Sequence, residues 1–197
     1  MRSALSPLSR IAIATIAALS ALCAGLEAES PDLMGALAPA DTCLDANVSA
    51  IRAGNIIVGD LVEEGALRSA TFAAQLCELA ASDVVVFIDP PSYLPPNVDA
   101  YLVFISSTSA KRYVRIRLSN HLIYPRNISL IGHELRHALE IARHPEVVDN
   151  KSLTTMYQQF GRAASRPGAW DSDEAVLVGR MVARELGEPN VVDANER

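Results

Sequence analysis

The chain has 197 residues with 17 Lys+Arg against 23 Asp+Glu, a net charge of −6, and half of its residues are hydrophobic. That acidic balance gives no electrostatic reason to bind nucleic acid, and no basic amphipathic helix offers itself to a membrane surface. The length suits one domain with a good core.

The first segment does not belong to that domain. Arg2 and Arg10 precede the uncharged apolar stretch 11–26, which small residues follow. This is the pattern of a secretory signal peptide, with cleavage after Gly25 or Ala28. The run is shorter than the roughly 20 residues of a membrane span. Cys23 raises lipidation, but bulky Leu22 stands where a lipobox needs a small residue, so a lipoprotein is the lesser alternative. Removing residues 1–25 takes two Arg and no acid, moving the net charge from −6 to −8. The expectation is an exported protein, periplasmic or extracellular. Residues 26–42 mix Ala, Pro, Ser and acids without periodicity and read as a flexible lead-in.

The domain is expected over residues 43–190. Short helices are expected at 41–52 and 56–64, joined by Gly54-Asn55. Ser69 is placed as N-cap of a helix over 70–81, with Phe72, Leu76 and Leu79 on one side. Asp83 to Asp89 is a short β-branched run between turn formers, a strand buried on both faces. The four prolines of 89–96 enforce a loop. A second strand follows at 101–106. The third, 112–118, alternates, with Val114, Ile116 and Leu118 on one face and Tyr113, Arg115 and Arg117 on the other. Then come helices at about 130–142, 152–160 and 171–186, with a Gly/Ser/Pro-rich loop at 161–168. The order argues an α+β fold, a small three-stranded sheet packed on the helix near residue 133, with further C-terminal helices.

That helix carries His133-Glu134-Leu135-Arg136-His137, an H-E-x-x-H pentad. Residues four apart share a helical face, so both imidazoles can point at one metal ion, with Glu134 one step round in reach of a water. No Pro or Gly interrupts 134–143. Such a site predicts Zn2+ as cofactor, with Glu134 taking a proton from the activated water and passing it to the leaving amine.

A catalytic zinc needs a third protein ligand. A metzincin would carry Gly at position 140 and His at 143, where this chain has Glu140 and Arg143; His144 lies one residue too far. Glu140 shares the helical face but is roughly 10 Å of rise from His133, so it is expected to support a ligating His rather than to ligate. Asp171, Asp173 and Glu174 open the last helix. Asp171 lies in register with Ala175, Val178, Val182 and Leu186 and is the leading candidate, with Glu174 the alternative. Against this, Asp171-x-x-Glu174 also resembles a capping box. Tyr157, Tyr113 and Tyr124 are candidate oxyanion partners, though each also suits ordinary aromatic packing. Strand 112–118 is a candidate edge strand for aligning an extended peptide, with Arg115 and Arg117 rimming the cleft or facing solvent. In an oxidising compartment Cys43 and Cys77 pair most simply with each other; otherwise Cys77 is a small apolar residue on its helix.

Several segments together resemble a family of uncharacterised exported bacterial proteins with an HExxH helix: 68–72, 81–87, 112–116 and 132–142, within a likeness covering about residues 60–187. That family is read as gluzincin-like zinc metallopeptidases, so the resemblance implies a zinc peptidase acting on a peptide or protein and names no substrate. Its members carry a Glu-Thr pair at the start of the last helix. Here the matching positions are Asp171-Ser172, which keeps a carboxylate shortened by one methylene. Three functions remain in view: a secreted zinc-dependent peptidase first, then another zinc hydrolase such as a cell-wall amidase, then a catalytically degenerate binding or structural module.

Overall fold

The computed structural model describes residues 50–121, 124–163 and 170–188. The expected signal peptide, the lead-in and Cys43 lie outside them, and the Cys43–Cys77 pairing with them. Cys77 itself is half-buried on its helix.

The chain is α+β. Among the described residues, five helices accompany a mixed four-stranded sheet and a separate two-stranded one. The first strand, β1 (Ile51–Ala53), takes the place of the end of the helix expected at 41–52, whose residues 41–49 lie outside the described ones. It is three residues long, too short for periodicity to reveal, and it exists because β2 (Val84–Ile88) lies parallel beside it, pairing Ile51 with Val86. Helix α1 (Ile56–Arg68) starts at Asn55, whose side chain accepts the Val58 amide at 2.9 Å. Ser69 caps α2 (Ala70–Ala80) by accepting from the Phe72 amide at 3.0 Å, as its sequence position predicts. Phe72, Leu76 and Leu79 are all buried on α2.

The remaining strands are β3 (Ala100–Ser107) and β4 (Arg112–Leu118), antiparallel to each other, and the sheet order is β1-β2-β4-β3. β4 is therefore an interior strand, parallel to β2 on one side, which corrects its expected place at the edge. The edge is β3. Between Phe104 and Ser106 the register slips, leaving Ile105 half-exposed. This bulge ends regular pairing where the strand leaves the core.

Alternation decides which sheet face is covered. Val84, Val86 and Ile88 of β2 and Val114, Ile116 and Leu118 of β4 are fully buried. They pack with Leu135, Ala138 and Leu139 of α3 (Arg126–Arg143) in a single core cluster. Arg115 and Arg117 fall on the opposite face, where both lie near Asp89, at 3.4 and 3.8 Å. Three elements complete the fold. They are α4 (Asn150–Phe160), a hairpin of β5 (Arg162–Ala163) with β6 (Trp170–Asp171), and α5 (Asp173–Glu185). No helix among the described residues is long and apolar enough to cross a membrane.

Candidate metal centre

His133 and His137 lie one turn apart on α3, with ring centroids 4.9 Å apart and planes nearly perpendicular. Both rings face the start of α5. Two glycines allow the approach: a Cβ on Gly179 of α5 would stand 3.2 Å from the His133 Cβ, and one on Gly132 would stand 3.0 Å from Val182. Bulkier residues at this crossing would lever α5 away from the imidazoles.

Asp171 closes the group. Its Oδ1 lies 3.4 Å from His133 Nε2 and 3.6 Å from His137 Nε2. One ligand atom from each of the three residues falls within 4.8 Å of the others. A tetrahedral zinc with bonds near 2.0–2.1 Å separates its ligand atoms by about 3.3 Å, close to the two His–Asp separations, and the group as a whole could hold a metal ion. Asp171 Oδ1 also accepts the Ser172 amide at 2.7 Å and lies within ion-pair range of both imidazoles.

The residue beside it frees Asp171 for this position. The N-cap of α5 is Ser172, which accepts the Ala175 amide at 3.0 Å, and not Asp171 as a capping box would have it. Asp171 belongs to β6. Glu174 points elsewhere, half-exposed beside Arg136 and 3.7 Å from Arg143. It is not among the three residues that converge.

Glu140 is almost fully buried and organises the far side of His137. The His137 Nδ1 lies 2.9 Å from its Oε2. The Tyr157 hydroxyl donates to the same oxygen at 2.7 Å, and Ser172 Oγ donates to Oε1. A carboxylate on Nδ1 fixes the ring and directs Nε2 at the metal position. Through Ser172 the same carboxylate also pins the residue after Asp171.

These contacts set the protonation states. Burial lowers His133 to about 4, helped by the neighbouring His137. Burial also acts downward on His137, but the facing Asp171 and Glu140 carboxylates outweigh it and raise the group to about 10. Asp171 and Glu140 are held below the usual carboxylate range against their burial, each chiefly by His137. Burial pushes Glu134 up to about 7, although His137 pulls it down and the Leu102 backbone of β3 adds a smaller pull in the same direction. The site thus gathers three carboxyl groups around two imidazoles, an environment suited to a cation.

Of the three tyrosines, Tyr157 alone contacts a candidate ligand among the bonds described. Tyr113 lies on the sheet face away from α3 and packs on Phe87, with centroids 6.4 Å apart. Tyr124 is bonded to Glu64 and Arg68 at the end of α1. Tyr157 reaches the site but gives its proton to Glu140; burial and that carboxylate raise its pKa, keeping it a phenol. Arg115 and Arg117, on the outer face, do not rim the site. His144 stacks on Phe160 and lies 2.8 Å from Glu146. Sequence reading missed Ser172, whose signal was its place between two carboxylates at a helix start, and Arg162, which carried none.

No family model matches the chain, and comparison with curated proteins and with solved structures finds no match.

Proposed function

We propose that this chain is an exported zinc-dependent peptidase in which α3 and the sheet pack in the zincin manner. The observation that carries the reading is the convergence of His133 Nε2, His137 Nε2 and Asp171 Oδ1, with the buried Glu134 carboxyl on the adjoining helical position. His133, His137 and Asp171 would hold the ion. Bound zinc supplies Lewis acidity, polarising a carbonyl and lowering the pKa of a water to about 7.

The chain's own residues do the rest. Glu134 accepts the proton of the attacking water and returns it to the departing amine. Its burial favours the uptake of that proton. Glu140 and Tyr157 keep the His137 ring from turning. β3 is an edge strand of the sheet, and its backbone lies close enough to Glu134 to act on its charge, so an extended peptide added along β3 would run beside that carboxyl.

The test separates metal from chemistry. Glu134→Gln should bind one zinc equivalent and keep its fold while losing hydrolysis of a peptide library by at least about 100-fold, since an amide cannot accept the proton. The double variant His133→Ala/His137→Ala should bind no zinc. Full zinc in that variant, or undiminished turnover by Glu134→Gln, would overturn the reading.

A further inference from the structure

Arg162 and Asp171 are direct partners across the β5–β6 hairpin. Cross-strand partners project to the same face, so the guanidinium is carried to the face that holds the third candidate ligand. Its Nη2 lies 3.6 Å from Asp171 Oδ2, and its Nε lies 3.6 Å from Asp173. Asp171 thus stands between two kinds of neighbour, turning Oδ1 to the imidazoles and Oδ2 to the arginine.

Arg162 remains 54% exposed, and neither ion pair is close enough to be a hydrogen bond. The two carboxylates draw the guanidinium toward this face and leave N–H groups for another acceptor. Of the other donors near the site, the Tyr157 hydroxyl donates a hydrogen bond to Glu140, and Arg136 is ion-paired with Glu174.

We propose that Arg162 is a catalytic residue that donates to the carbonyl oxygen of the scissile amide as that oxygen takes up negative charge; this rests on the peptidase reading above. In the step it serves, the water oxygen bonds to the carbonyl carbon, the π pair moves onto the carbonyl oxygen, and the water proton goes to Glu134. The carbonyl then re-forms, the C–N bond breaks, and Glu134 returns its proton to the nitrogen, giving a carboxylic acid and an amine. The oxygen is most negative between these two events, where a fixed, permanently charged fork of donors acts most strongly.

The experiment uses the full chain loaded with zinc, as wild type, Arg162→Gln and Arg162→Lys. Three readouts are taken: zinc affinity, kcat and KM on peptides blocked at both ends, and binding of a blocked peptide with a phosphinate in place of the scissile amide. In Arg162→Gln we expect kcat to fall roughly 100- to 1,000-fold and phosphinate affinity to fall in parallel, the loss typical of one oxyanion donor. KM and zinc affinity should stay within about threefold, because uniform binding and the ligands are untouched. Arg162→Lys should recover part of kcat. Unchanged kcat overturns the proposal, as does a fall in zinc affinity matching the fall in kcat, which would make Arg162 a support for Asp171. A loss in KM alone, restored by freeing the peptide C-terminus, would make it a reader of substrate carboxylates and also overturn it. Should the wild type cleave no peptide, the peptidase reading fails by itself, and equal phosphinate binding by wild type and Arg162→Gln would then overturn this proposal separately.

Discussion

Helix α3 carries buried charge at two places, and the two are finished differently. At its C-terminal end Arg112, 4% exposed, pairs through Nε and Nη2 with both Asp83 oxygens at 2.7 Å. It also donates to the carbonyls of Ile141, Ala142, His144 and Val147. The Ile141 and His144 carbonyls also accept from the His144 and Val147 amides, and the guanidinium adds a charged donor to this end of the helix, complementing its dipole. In the middle of the same helix, His133, His137 and Asp171 approach one another at 3.4 and 3.6 Å. The first cluster is closed by its own hydrogen bonds; the second brings together three groups that could hold a metal ion.

Substitution at each place should break the comparison in opposite ways. The largest effect on stability is expected from Arg112→Met, which removes the buried guanidinium and its hydrogen bonds to Asp83 and the helix-end carbonyls. With Asp83 itself 43% exposed, the loss expected is that of buried charge-assisted hydrogen bonds, about 1.5–3 kcal/mol. Denaturant unfolding of the apo protein measures it, and a loss below about 1 kcal/mol would show that the cluster is not structural.

Asp171→Asn should do the reverse. Because Ser172 and not Asp171 caps α5, the apo protein should lose less than about 1 kcal/mol. Zinc affinity should fall by more than about 100-fold, because the neutral amide is a weak donor. Competition with a chromogenic chelator reads this directly. Glu174→Gln is the control and should bind zinc as the wild type does. Normal binding by Asp171→Asn would remove Asp171 from the site.

The smallest effect sharpens the closed cluster through pH. Asp83 is depressed below its ordinary 3.8, mainly by its hydrogen bonds with Arg112. A depressed carboxylate contributes stability that is full above the unfolded value and is lost as pH falls through the folded one. Unfolding free energy of the wild type should therefore drop more steeply below about pH 4 than that of Asp83→Asn. Parallel curves for the two proteins would show that the pair carries no such linkage.

Much of this was legible in the sequence because it is local. The pentad, the Ser69 cap, the alternation of β4 and the helices around them depend on residues a few positions apart. β1 was misread because three residues hold no period, and only its pairing with β2 makes it a strand. β4 was misplaced because strand order is set by distant partners. The stretch 171–173 contains three residues able to N-cap a helix, so sequence could not choose between Asp171 and Ser172; the hairpin chose by drawing Asp171 into β6. Arg112 falls on the buried face by simple alternation, yet charge argued against burial until the C-terminus of α3 supplied its acceptors.

The hairpin has one more consequence. Asp171 follows His137 by 34 positions, with all of α4 between them. An ion bonded to both would close that stretch of chain into a loop as a covalent clasp does, removing freedom from the unfolded chain. The group that makes the chemistry available would then also serve as a fastener for the last third of the molecule. Its loss would loosen α4 and the β5–β6 ladder while the sheet, whose strands pair independently of it, stayed closed.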